Sequence, residues 1–347
     1  MLSVILSVTL VVLGTTASAT HGESIHVENG QSIQAAIDSA PPGSCIIVGP
    51  GTYEEQLTIS KSGIALRGNG VILKPPTTPT SNICSGLAGN DTEAGICVSG
   101  SDIVLADFVQ EHRKVLSVGS YVEGVSITGF EIHGFTGLNI ALVGAKDSMV
   151  YRNTLYDGGP YGFLTVGSLN THAAGNTVMT TDAILFIGMC MDDVSPAEYR
   201  DNYVSGYLIA FCLQTEGSVV TGNTATNNCV GAFLDPGIKD ITFTHNHISS
   251  INPGCPLSSP EFATGGIIVF GASDAKITGN VVENQKNKGT GFGLILSDSP
   301  PDSLASGNLI EHNIFRNNDI DIGIFTNATD NIFKQNECST PAELCSA

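Results

Sequence analysis

A recurring Asn constrains this chain more than any other feature. The same short phrase returns at Asn153, Asn176, Asn202, Asn223, Asn246, Asn280, Asn313 and Asn336, in steps of 23, 26, 21, 23, 34, 33 and 23 residues. A period near 23 with two longer steps is the signature of a repeat array with insertions. Around each Asn an apolar residue and a polar one precede x-Asn-x-Val/Ile, as in Lys276-Ile277-Thr278-Gly279-Asn280-Val281. Short β-branched runs punctuated by Gly and Asn are strands and turns, not helices. One such repeat, holding two or three short strands, is one turn of a parallel β-helix. The fold class is therefore all-β, a parallel β-helix solenoid of roughly 23-residue coils.

Coils stack at the spacing of adjacent strands, about 4.8 Å. Each position then sits above its counterpart. Asn at the repeated corner tolerates a left-handed backbone, and its amide can bond along the stack. The Asn column reads as structural rather than catalytic. A second strand follows each Asn by about ten residues, as the spacing shows. Its copies read 162–166, 183–187, 209–213, 231–235, 266–270, 293–297 and 323–327. Their third position is large and apolar and is expected to face inward. Alternation then sends Ile184, Phe186, Cys212, Leu234, Ile267, Val269, Leu294 and Leu296 outward. A sheet apolar on both faces is covered on both. The outer cover would be a loop of the chain itself, an oligomer contact or an apolar ligand.

Residues 1–19 read as a secretory signal peptide, an apolar run from Leu2 to Leu13 followed by the cleavage motif Ala17-Ser18-Ala19. Residues 20–347 then form a single domain, secreted and extracellular, with loop insertions near 75–100, 251–265 and 298–304. The net charge of -19 argues against nucleic acid and anionic membranes as partners. It also disfavours a polyanionic substrate. Nine Cys in a secreted chain imply disulfides. The candidate pairs are Cys84 with Cys97, Cys190 with Cys212, Cys229 with Cys255, and Cys338 with Cys345. Cys45 is left as a buried free thiol. Asn90 and Asn327 head glycosylation sequons.

From residue 32, Ser32-Ile33-Gln34-Ala35-Ala36-Ile37-Asp38-Ser39-Ala40 is a short amphipathic helix ended by Pro41-Pro42-Gly43. It would cap the open end of the first coil. Pro50-Gly51-Thr52-Tyr53 and Leu66-Arg67-Gly68-Asn69-Gly70 follow. This cadence resembles the opening of the pectin lyase-like superfamily of right-handed parallel β-helices. Pectin methylesterases, alginate C5-epimerases and periplasmic copper-site maturation proteins share it. The resemblance implies the fold, and a site on an outer sheet fed by neighbouring coils. It transfers no catalytic set. The paired Asp, Gly-His-Gly and Arg-Ile-Lys of polygalacturonases are missing, and Asp235-Pro236-Gly237 keeps only half of the epimerase motif Asp-Pro-His-Asp.

Polar residues just past the second strand are the candidates for chemistry: Asp192, Asp193, Gln214, Asp235 and Asp298. Asp192 and Asp235 are one coil apart from a shared neighbour, hence about 10 Å from each other. That suits an inverting carboxylate pair, although Asp also simply ends strands and starts turns. Tyr156, Asp157 and Tyr161 form a second group, in which a Tyr could abstract a proton. His112, Arg113 and Lys114, in the densest charge cluster, could hold an anionic sugar group. His245 and His247 alternate on a strand but lack a third ligand, so no metal is expected, and no cofactor. The expected function is action on a cell-wall or matrix polysaccharide as lyase, epimerase or hydrolase. The alternatives are a non-catalytic wall, adhesion or effector-like protein, and a small-molecule isomerase, cyclase or dehydratase using an apolar outer-sheet pocket.

Overall fold

A computed structural model describes residues 22, 24–181, 183–259 and 263–345. The expected signal peptide lies outside the described residues. The chain winds as a right-handed parallel β-helix. The short strands flanking each Asn, such as Val219–Thr221 and Thr224–Asn228, pair with their counterparts in the coils on either side and join one 20-stranded sheet. A second sheet of ten strands runs in chain order from Leu57–Ile59 to Ile320–Phe325. The helix Ile33–Ser39 is capped by Ser32, whose side chain accepts from the Ala35 amide, and it buries Ile33, Ala36 and Ile37 on the first coil.

The Asn ladder is continuous. From Asn153 to Asn313, each backbone N–H and each side-chain Nδ2 donates to Oδ1 of the next Asn, at 2.9 to 3.1 Å. The corner differs from expectation in one respect. The left-handed residue is the one before each Asn: Arg152, Gly175, Asp201, Gly222, His245, Gly279, His312 and Gln335 all have positive φ. The Asn keeps an ordinary backbone and serves the ladder alone.

The second sheet also corrects the facing of its strands. Its register skips one residue per strand, pairing Tyr161 with Ile187 and then Phe163 with Met189. The skipped positions are mostly Gly: Gly162, Gly188, Gly231, Gly266 and Gly293. A Cβ on Gly266 would meet Val282 at 2.3 Å and the Gly293 carbonyl at 2.6 Å. Alternation changes phase at this kink. Leu234, Ile267, Val269, Leu294 and Leu296 therefore fill the coil interior, while Leu164, Cys190, Cys212 and Ile268 form the outer face, with Phe186 and Phe233 packed on it. The copies at 183–187, 209–213 and 323–327 are also out of register: Gly188 and Ala210 stand in line with Gly162, and Asp321 with Gly293.

The outer face is covered by the chain's own insertions. Cys84, Leu87 and Ala88 pack on it, as do Ile103, Leu105 and Val115. The first insertion is shorter than expected, because Ala94–Ser99 is already a strand of the second sheet. All four expected disulfides are present. Cys45 is free but half-buried rather than buried.

Candidate functional site

Met191 pairs with Leu213, and Leu213 with Leu234. The next residues, Asp192, Gln214 and Asp235, therefore stand in one outward column on three successive coils. The column continues through Phe270, Ser297 and Phe325. Above it lies a hairpin whose arms are Val104–Leu105 and Val115–Ser117. The hairpin can approach because Gly144 and Gly167 lie beneath it. A Cβ on Gly167 would stand 2.5 Å from Cβ of Val115.

Between its arms the hairpin sends Glu111, His112 and Lys114 down onto the column. Lys114 Nζ lies 3.0 Å from Asp192 Oδ2 and donates to Gln214 Oε1 at 2.7 Å. Gln214 Nε2 donates to Glu111 Oε2 at 2.7 Å and to Asp235 Oδ2 at 2.8 Å. His112 Nε2 lies 3.3 Å from Gln214 Oε1 and 3.7 Å from Asp192 Oδ2. Its ring meets Tyr161 edge-on at 5.9 Å.

Two carboxyls on one glutamine, with that of Asp192 beside them, carry an electrostatic cost. Burial first, then Glu111 and Asp192, push the Asp235 carboxyl up to about 7, while Lys114 opposes them. Burial and then Lys114 hold the His112 imidazole below its usual value, so it is neutral. Burial, with Glu111, Asp235 and Asp192, pushes the Tyr161 phenol up, and its hydroxyl is buried with no hydrogen-bond partner. Neither ring is placed to act as a base. His112 has no exposed side chain, and an acid as weak as Tyr161 is not deprotonated near neutral pH.

The remaining candidates lie elsewhere. Arg113 turns into its own hairpin, donating to the carbonyls of Ala106 and Leu105. Tyr156 stacks on His133 at 4.8 Å, and Asp157 accepts from the Thr181 amide and hydroxyl at 2.8 Å. Asp298 holds the third insertion by accepting from the Ala305 and Asn327 amides. Asn90 is exposed in its loop, and Asn327 is exposed but donates through Nδ2 to Asp298. His245 occupies a left-handed corner rather than a strand, and His247 bonds Glu283 at 2.8 Å. Glu111 is a member of the cluster that sequence reasoning missed. The charge run Glu111-His112-Arg113-Lys114 was the available signal.

Asp193 neighbours the column but turns away from it. It accepts from Thr165 Oγ1 at 2.9 Å, Thr171 Oγ1 at 2.6 Å and the Ser168 amide at 3.1 Å. Burial raises it to about 7 from an ordinary 3.8. A carboxyl raised on folding favours the native state while it is protonated in both states, and that advantage is lost as pH rises from about 4 through about 7. Asp193→Asn keeps an acceptor for the two hydroxyls and cannot ionise. The variant is expected to show a shallower fall in Tm between these two pH values, by several degrees, in thermal melts followed by circular dichroism.

A model described as "Right handed beta helix region" matches residues 187–340, and one described as "Periplasmic copper-binding protein (NosD)" matches residues 55–253. The second spans 199 of the 347 residues. No curated protein sequence matches the chain. Among solved structures, an alginate lyase from Paenibacillus sp. str. FPU-7 is 15% identical with a TM-score of 0.56, covering 90% of this chain and 98% of its own. PfbA, a surface adhesin of Streptococcus pneumoniae, is 14% identical with a TM-score of 0.56, over 88% and 84%. A mutant of the periplasmic alginate epimerase AlgG is 14% identical with a TM-score of 0.55, over 90% and 84%. Likeness at this level establishes the fold and leaves the chemistry to the residues. The copper named in the family description finds no ligand set here. Among the described residues no three His, Cys, Asp or Glu are arranged to hold one metal ion, and the eight paired Cys are unavailable as thiolates.

Proposed function

This chain belongs to the family described as periplasmic copper-binding protein (NosD), and within that β-helix frame we propose that it is an exported enzyme that hydrolyses a neutral polysaccharide. Its four disulfides suit an oxidising compartment. One observation carries the reading: Asp192 and Asp235 occupy one outward, half-buried column, two coils apart, beside the half-buried rings of Phe233 and Phe270, whose centroids are 5.9 Å apart. Carboxyls paired with aromatic faces suit a sugar ring, which is polar at its edge and apolar on its face.

The two carboxyls differ in environment. Asp235 keeps its proton to about pH 7. Asp192 is ion-paired with Lys114. Such a contrast supports Asp235 as the acid and Asp192 as the base. Two coil spacings give about 9.6 Å, at the wide end of the inverting range. In this reaction water attacks the anomeric carbon from the face opposite the leaving oxygen. Asp192 takes the water proton, and Asp235 gives its own proton to the glycosidic oxygen. Gln214 fixes Oδ2 of Asp235 and leaves the other oxygen for the substrate. Lys114, with a side chain 51% exposed, is the member of the cluster able to yield to a sugar hydroxyl.

A neutral substrate follows from charge. The chain carries -19 overall, Asp192 stands in the column and Glu111 reaches it from the hairpin, so a polyuronate would be repelled. The reading is tested with purified protein on soluble β-glucan, xylan and galactomannan, alongside alginate and polygalacturonate. New reducing ends from a neutral glycan, without the ultraviolet absorbance of unsaturated sugars, are the expected result. Unsaturated products would replace hydrolysis by elimination. Inactivity on every glycan would sink the enzymatic reading.

A further inference from the structure

The outward column is asymmetric along the solenoid axis. On its N-terminal side the coil before Asp192 presents Val166, and the hairpin lies on that coil, with Val115 against Gly167. One coil further back, Gly144 meets Val118 and Ile103 of the same hairpin. Glu111 and Lys114 close the gap by bonding to Gln214 and Asp192. On its C-terminal side the column stays open to solvent. Phe233, Phe270 and Ser297 are half-buried, and Phe325, which packs edge-on against Phe292, is 59% exposed. The third insertion walls this side, with Ser299 and Ser303 against Gly271, but does not bury the rings.

From this asymmetry, and resting on the hydrolase reading above, we infer that the enzyme works from a chain end and releases one small sugar at a time. The polysaccharide lies along the axis over Phe233, Phe270 and Phe325. Its terminal ring sits against the hairpin, over Asp192 and Gln214. Beyond Asp192 the sheet is already occupied by Val115, so a chain interior cannot thread through. The hairpin, not the sheet, sets this limit. Its outer side carries Val104, Val109 and Leu116, which are 51%, 85% and 66% exposed.

The experiment follows viscosity and product size together on soluble β-glucan, xylan and galactomannan. The expected result is a steady rise in reducing ends, one small product from the first time point and almost no loss of viscosity. Early collapse of viscosity with products of mixed length would overturn the chain-end assignment while leaving hydrolysis intact. Absence of reducing ends on all three glycans would remove the hydrolase reading and this inference with it. Val115→Asp, which places a charge where the hairpin meets Gly167, supplies the second arm. Loosening the hairpin should open the blocked side and shift the products toward mixed lengths. Unchanged single-sugar release from a variant shown by proteolysis to have a mobile hairpin would also count against the inference.

Discussion

Asp235→Asn should lower kcat on the responsive glycan by roughly 10²- to 10⁴-fold, the contribution of a positioned general acid. The substitution is nearly isosteric and keeps an acceptor for Gln214 Nε2, so the network around Gln214 retains its geometry. Only the transferable proton is lost. The pH profile makes the assignment specific. Asp235 is protonated below about 7 because it is buried and faces Glu111 and Asp192. Activity of the parent enzyme should therefore hold below that pH and fall about tenfold per unit above it, as the acid is titrated away. In Asp235→Asn the residual rate should lose this alkaline limb. Asp192→Asn should be comparably slow yet keep the limb, because the acid remains. Asp157→Asn is the control, since Asp157 holds a turn at Thr181 and does not touch the cluster. If Asp235→Asn retained full activity with an unchanged profile, the acid would have to be sought elsewhere.

Much of this was legible in the sequence for a geometric reason. In a solenoid, residues one coil apart in sequence are neighbours in space, so spacing reads directly as contact. Cys190 with Cys212, 22 residues apart and directly opposite on adjacent strands, are such neighbours. So are Asp192, Gln214 and Asp235. What spacing cannot carry is phase. The Gly162 column inserts one unpaired residue into each strand of the second sheet and reverses which side chains face the core. Taking the uniformly large third position of each copy as the inward one gives the opposite answer, because both faces of these strands are apolar. Contacts outside the coil rhythm are equally hidden. Gln214 meets Glu111 and Lys114 across separations of 103 and 100 residues, through a hairpin that belongs to no repeat. Arg113 shows the limit of reading charge as function. It sits between two cluster members, yet its guanidinium satisfies backbone carbonyls of its own hairpin.

The ladder gives the second large effect. Asn223 is 1% exposed, and its side chain joins three coils. Its Oδ1 accepts from the backbone and side-chain nitrogens of Asn202 at 2.9 and 3.0 Å. Its Nδ2 donates to the Tyr199 carbonyl at 2.9 Å and to Asn246 Oδ1 at 3.0 Å. Asn223→Ala removes every one of these and puts no water in their place. Each buried group left without a partner costs about 1–3 kcal/mol. The Asn202 amide and the Tyr199 carbonyl are both stranded, so the total is expected at about 3–5 kcal/mol. That should appear as a large drop in the denaturant midpoint. Asn223→Asp separates the two halves of the role. It keeps the acceptor for Asn202 but faces Asn246 Oδ1 with a carboxylate, so it should be less stable at neutral pH than at acid pH, where the protonated acid can donate. Asn331, only partly buried at the end of a parallel pair with Asn308, should tolerate Ala at a smaller cost. Equal, small losses at both sites would mean that the apolar core alone holds the coils in register, and that the Asn column is kept for the shape of the corner rather than for its hydrogen bonds.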